Sequence, residues 1–289
     1  MKINITLFAI IALINISHAQ ERELGRVADS IQKEAMALYK SEFASWYGTD
    51  LFLGKFPNIR PQVGGYISYE NDKGGENNVF FGRGEDPEVF VTTTFYNDFD
   101  KDHYSMDTTR RKLTSNEKDL FTIRQTVVKQ IEQRDTFYKT YNHTNLNPIP
   151  IIHNGKKQVY VLTGPDIGGV VVFGNDYLID FDQNNSITSR RVLHKNILPM
   201  YYKKETPDSA KDTGIAMHSH LASTGPYITA TDICTLLLYA KLAGWHQHYV
   251  MSKDDVSIWD CDKNRLVIIT MEAWKRIAED HKQRHPDKN

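Results

Sequence analysis

Cysteine is scarce in this chain, neither sign of charge is in excess, and apolar runs of membrane length are absent. Two cysteines, Cys234 and Cys261, among 289 residues are too few for a disulfide framework, and their spacing fits no CxxC zinc or redox motif. One disulfide and two buried thiols both stay open. Thirty-five Lys and Arg against 36 Asp and Glu leave a formal charge of −1. That balance provides no basic footprint for nucleic acid or an anionic membrane. No GxGxxG frame surrounds Gly168-Gly169, and no P-loop, EF-hand or nucleophile elbow occurs. Internal repeats and low-complexity tracts are also missing. What is present, 40% hydrophobic and 25% charged residues at a mean hydropathy of −0.49, is ordinary globular composition for one large or two modest domains. Any function has to come from a local site.

The first nineteen residues differ from the rest. Lys2 precedes an apolar run from Ile3 to about Ile16, and Ser17-His18-Ala19 is a small-x-small ending followed by Gln20. This is the form of a cleaved signal peptide, with a membrane-anchored amphipathic helix as the other reading. The expectation is a mature chain from Gln20, periplasmic or secreted, with no stable membrane anchor after cleavage.

Helical spacing of Val27, Ile31, Ala35, Leu38, Tyr39 and Trp46 predicts a helix over about 22–46, stopped by Gly48. Residues 50–112 read as an antiparallel meander, with strands at Tyr66–Tyr69, Val79–Phe81 and Val89–Phe95 and a turn over Asp72–Asn78. A second helix is expected from about Asn116 to Asn142, capped by Ser115. Asn147-Pro148-Ile149-Pro150 reads as a chain break and domain boundary. Beyond it, strands are expected at Gln158–Leu162, Gly169–Phe173, Tyr177–Phe181 and Ile187–Leu193, with Tyr201–Asp212 a charged loop. Ile215–His220 then reads as a strand, Thr229–Ala243 as an apolar helix ended by Gly244, Trp245–Met251 and Val256–Asp260 as a hairpin, and Glu272–His281 as a polar helix. The fold class is α+β. An N-terminal helix with an antiparallel sheet (20–150) precedes a mixed sheet with one buried helix (151–264) and a polar tail (265–289).

The chemistry-bearing segment is Met217-His218-Ser219-His220, followed after a loop by Thr229-Ala230-Thr231-Asp232. On a strand His218 and His220 share a face, because side chains alternate. Two adjacent imidazoles suit zinc, Asp232 could supply a third ligand, and a water would complete the tetrahedron. The simpler reading is that Thr229-x-x-Asp232 is a helix capping box and the histidines are polar surface. His246 and His248 form a second His-x-His, which alternation in a half-buried strand explains more simply than a role beside a metal. His194, at a strand end, reads as solvent-facing.

In its order of parts the segment resembles the JAMM signature of the JAB/MPN metalloprotease superfamily, where His-Ser/Thr-His ends a strand and Ser-x-x-Asp opens a helix. The resemblance covers about residues 155–262 and leaves 20–150 without a counterpart. It implies that His218, His220 and Asp232 bind zinc, that Thr229 and Ser219 assist an oxyanion, and that an earlier carboxylate is the general base. For that base the nearest match is Asp166 in Asp166-Ile167-Gly168-Gly169, which also reads as a plain turn; Glu205 is the alternative. Leu221 stands where the family usually has Pro, Thr229 replaces Ser, and the loop to Asp232 is one residue longer. The function implied is an exported zinc hydrolase of a peptide or isopeptide bond, acting on a peptide or protein. A catalytically silent module of the same type, binding a protein or cell-envelope partner, is the alternative. Nucleic acid is not an expected partner.

Overall fold

The computed structural model describes residues 3–202 and 214–284, with side chains from residue 21 onward. The fold is α+β, and the chain divides into two compact units. One unit contains residues 36–204; the other combines residues 1–35 with 205–289. Helix α1 (Ile3–Lys55) contributes to both. Among the described residues no helix is long and apolar enough to cross a membrane.

The unit of residues 36–204 is built on two main sheets. The first contains β1 (Val63–Glu70), β2 (Glu76–Gly82), β3 (Glu88–Phe95) and β4 (Tyr104–Asp107), all antiparallel in chain order, with the short β5 (Arg111–Lys112) on β3. The expected meander is therefore present. Alternation, interrupted by a bulge in the β2–β3 pairing that puts the consecutive Phe90 and Val91 on one side, splits its side chains: Phe80, Phe90 and Val91 pack on Phe52 of α1, whereas Ile67, Val79, Phe81 and Val89 pack on Leu120 of α2 (Ser115–Glu132). Helix α1 does not stop at Gly48. A Cβ there would lie 2.3 Å from Asn78 Oδ1 and 2.9 Å from Asn78 Cβ, so this glycine serves close approach of helix to strand and breaks nothing.

Helix α2 ends ten residues earlier than its pattern suggested, and Thr114, not Ser115, is its cap. Thr114 Oγ1 accepts from the Glu117 N–H, and Glu117 Oε2 accepts from the Thr114 N–H at 2.7 Å. The helix ends because Arg134 takes a left-handed φ of 57° and the Asp135 carboxylate accepts from the Phe137 N–H. The apolar residues beyond, Tyr138 among them, return to the core as a turn.

The second sheet has the order β10 (Ile187–Val192), β9 (Tyr177–Phe181), β7 (Lys156–Pro165), β6 (Thr144–His153). Ile123 and Val127 of α2 pack on Val159, Val161 and Ile179 of this sheet. The expected break at Asn147–Pro150 lies in the middle of β6, which pairs with β7 over ten residues. β6 is an edge strand, and Pro148 and Pro150, two residues apart, both face their missing N–H to the unpaired side. The boundary expected near 150 thus falls inside a strand of one unit. β8 (Val170–Gly174) pairs with β11 (Ile197–Tyr201), a strand that the pattern did not show. Residues 203–213, the rest of the expected charged loop, lie outside the described residues.

The other unit is a mixed sheet with one buried helix. Its order is β12 (Ile215–Ser219), β13 (Gln247–Met251), β14 (Asp255–Asp260), β15 (Arg265–Thr270), with β12 parallel to β13 and the other pairs antiparallel. Helix α3 (Ala230–Ala243) crosses between β12 and β13 and ends at Gly244, whose φ is 73°. β15 occupies the start of what was expected to be polar tail, and α4 (Met271–Arg284) follows it. Gln32 Oε1 of α1 accepts from the Leu266 N–H at 3.2 Å. Cys234 and Cys261 form no disulfide.

Candidate metal centre

The buried face of the mixed sheet has three histidines. In β12 the exposed Ile215, Met217 and Ser219 alternate with the covered Ala216 and His218. β12 ends at Ser219, but the His220 N–H still donates to Met251 O at 2.8 Å. That bond carries the two-residue period one step further, so His218 and His220 share a face as expected. Their side chains are 6% and 2% exposed, and their Nε2 atoms are 3.1 Å apart.

Asp232 comes from the first turn of α3. Its backbone N–H donates to Thr229 Oγ1, and its Oδ2 accepts from the Thr229 N–H at 2.9 Å and the Thr229 hydroxyl at 2.8 Å. This is a complete capping box. The same carboxylate reaches the imidazoles, with Oδ2 3.3 Å from His220 Nε2 and Oδ1 3.9 Å from His218 Nε2. The capping and metal readings are therefore one geometry: the cap points the carboxylate at the histidines.

Ligands at about 2.0–2.1 Å in a tetrahedron around zinc would stand roughly 3.3 Å from one another. The separations of 3.1 and 3.3 Å are close to that edge, and the donor set of imidazole and carboxylate is suitable. His220 and Asp232 belong to a group of side chains that could hold a metal ion, whose kind the geometry does not specify.

His248, on β13, is fully buried and places Nε2 2.8 Å from His218 Nδ1. Burial, with His218 beside it, pushes its protonation down to about 3 against the opposing pull of Asp232. Alternation alone could not single it out, because His246 has the same parity. The difference is that β13 starts at Gln247, which leaves His246 outside the strand and exposed, 3.0 Å from Asp262.

The remaining candidates are placed as follows. Ser219 is on the exposed face of β12. The Thr229 hydroxyl donates to Asp232. Asp166 belongs to the other unit, at the turn after β7, with Oδ1 3.6 Å from His143 Nδ1. Glu205 lies outside the described residues. His194, expected to face solvent, is buried, with Nδ1 2.8 Å from Asp176 Oδ1. No protein-family model matches the chain, and no match was found among curated proteins or solved structures.

Proposed function

We propose that this chain is an exported, zinc-dependent hydrolase of the JAB/MPN type that cleaves a peptide or isopeptide bond, with His218, His220 and Asp232 holding the metal. The observation that carries the reading is the meeting of two imidazoles from a strand end and a carboxylate from the following helix start, 3.1–3.9 Å apart in a buried pocket of side chains. A zinc ion held there would supply Lewis acidity for a substrate carbonyl and a water acidic enough to ionise near neutral pH. The chain's own contribution is orientation: Thr229 fixes the Asp232 carboxylate, and the strand period fixes both histidines. Asp166 or Glu205 is the base in this reading.

A second reading, a silent module that binds a protein or envelope partner, is favoured by two placements. The Thr229 hydroxyl gives its proton to Asp232, and Asp166 is engaged with His143. Zinc analysis and peptidase assays on purified wild type, His218→Ala and Asp232→Ala test both readings. The metal reading expects about one equivalent of zinc in wild type, and less than about a tenth of an equivalent would overturn it. The hydrolase reading expects loss of activity in both variants. Zinc-loaded wild type with the same background rate as the variants would overturn it and leave the silent module. Asp166→Asn and Glu205→Gln then decide between the two bases.

A further inference from the structure

The unit of residues 36–204 has a cavity of its own, with an enclosed acid in its wall. Its volume is about 40 Å³, and Lys40 of α1, Glu70 of β1 and Glu76 of β2 line it together with the apolar Ala37, Leu120 and Ile152. Glu70 and Glu76 are direct cross-strand partners in the β1–β2 pairing, an arrangement that is destabilising when both are ionised. Lys40 offsets one of them: its Nζ is 2.7 Å from Glu70 Oε1. Glu76 is 2% exposed, and among the described residues no hydrogen-bond partner reaches its Oε2. A buried carboxyl in that position costs free energy in either protonation state. Burial and the neighbouring Glu70 hold it well above the ordinary carboxyl range, against the pull of Lys40. The Glu70 and Lys40 side chains are 47% and 23% exposed, so the cavity runs from a solvated ion pair to an enclosed acid.

Charge and wall chemistry sort the ligands that could enter. An anion would meet two carboxyl groups and one ammonium that is already paired. A calcium or magnesium ion needs about six or more oxygens, and the Ser68 hydroxyl at this wall is already bonded to Ser45 Oγ at 2.8 Å and Asn78 Nδ2 at 3.0 Å. A primary ammonium needs one negative partner, and its carbons suit the apolar part of the wall. At roughly 10–15 Å³ for each water-sized occupant, the cavity has room for about three non-hydrogen atoms. We propose that this cavity binds a small primary ammonium, with its charge on Glu76 and its alkyl carbons against Ala37, Leu120 and Ile152. Lys40 limits the site to a single added positive charge, because it already answers Glu70. Nothing in this assignment depends on the metal centre.

Ethylammonium chloride is the probe, titrated into the purified protein at pH 7 and followed by methyl NMR. Three non-hydrogen atoms limit the affinity to about millimolar, so the titration runs to about 50 mM. The expected result is saturable shifts of the Ala37, Leu120 and Ile152 methyl signals. Sodium chloride and tetramethylammonium chloride at the same concentrations control for salt, for alkali-ion binding and for charge without N–H donors. Equal shifts with either salt, or no saturable shift with ethylammonium, would overturn the proposal. Glu76→Gln keeps the shape of the side chain and removes its charge. Loss of a hydrogen bond to a charged group weakens binding by about 10- to 100-fold, and that loss is expected in the variant. Unchanged affinity in Glu76→Gln would place the ligand elsewhere and overturn the proposal. If Glu76→Gln does not fold, Ala37→Leu, which fills the cavity from α1, takes its place with the same expected loss, and the wild-type shifts still locate the ligand.

Discussion

Individual side chains in this protein do two jobs at once, and this is why residue-by-residue reading of the sequence separates explanations that the structure joins. Asp232 caps α3 through Oδ2, the oxygen nearest His220, and faces His218 with Oδ1. Glu117 caps α2 and also receives a two-pronged ion pair from Arg111, at 2.6 and 2.7 Å. Glu42, on α1, accepts from Asn147 Nδ2 at 2.7 Å, and burial pushes its carboxyl up to about 7. Its unfolded reference is 4.5. Between those pH values the unfolded chain has released this proton and the folded chain still holds it, so the residue's contribution to stability falls as pH rises through that window and is level above it. Glu42→Gln should remove the slope and be more stable than wild type above pH 7 by about 3 kcal/mol. Urea unfolding at pH 4, 6 and 8 checks this, and parallel pH profiles for the two proteins would refute it. The His-Ser-His and Thr-x-x-Asp spacings predicted three of the clustered residues. His248 was hidden because a period of two cannot distinguish a buried strand residue from one just before the strand.

At the scale of elements, periodicity identified most helices and strands but not their ends, because ends are set by particular contacts. Gly48 shows this best. In an open helix position Gly→Ala gains about 0.5–1 kcal/mol, and Gly25 and Gly54, with nothing within 4 Å of an added Cβ, should behave so. At Gly48 the added carbon would meet Asn78, which is fully buried and donates through Nδ2 to Ser68 Oγ at 3.0 Å. Gly48→Ala should therefore destabilise by about 1–3 kcal/mol, the opposite sign to Gly54→Ala. Thermal melts of the two variants side by side measure the difference. Proline was equally ambiguous: two prolines two positions apart look like a linker, yet an edge strand accepts them. β11 and β15 escaped notice because their patterns, Ile197–Tyr201 and Arg265–Thr270, are short and their neighbours, β8 and β14, are needed to complete them.

For the whole molecule, the α+β class and the mixed sheet with its buried helix follow from pattern, whereas the division into units does not. A unit assembled from residues 1–35 and 205–289 leaves no mark in local composition, since its parts are far apart in the chain. The candidate centre lies in that unit, and the residues proposed to hold the metal, His218, Asp232 and His220, are spread over a strand, a helix and a loop that only the fold brings together. Metal binding would thus be linked to folding. A ligand present at about 100 times its dissociation constant adds about 2.7 kcal/mol, so zinc should raise the melting temperature of wild type, and a chelator should reverse the rise. Asp232→Asn, which can still accept the capping hydrogen bonds, should melt near metal-free wild type and respond weakly to zinc. Calorimetry with and without zinc provides the comparison; an equal zinc response in both proteins would separate Asp232 from the metal.

The two prolines of β6 have one more effect. β1 runs near β6 without hydrogen-bonding to it, and the outward side of β6 lacks donors at positions 148 and 150, while Arg124 Nε donates to the Pro148 carbonyl at 3.2 Å. An incoming strand needs alternating donors and acceptors along an edge, and here it would meet a gap where the donors should be and a carbonyl already occupied. The ten-residue β6–β7 pairing therefore ends in a margin poorly suited to seed a further strand, so this edge of the sheet resists growth in a crowded solution.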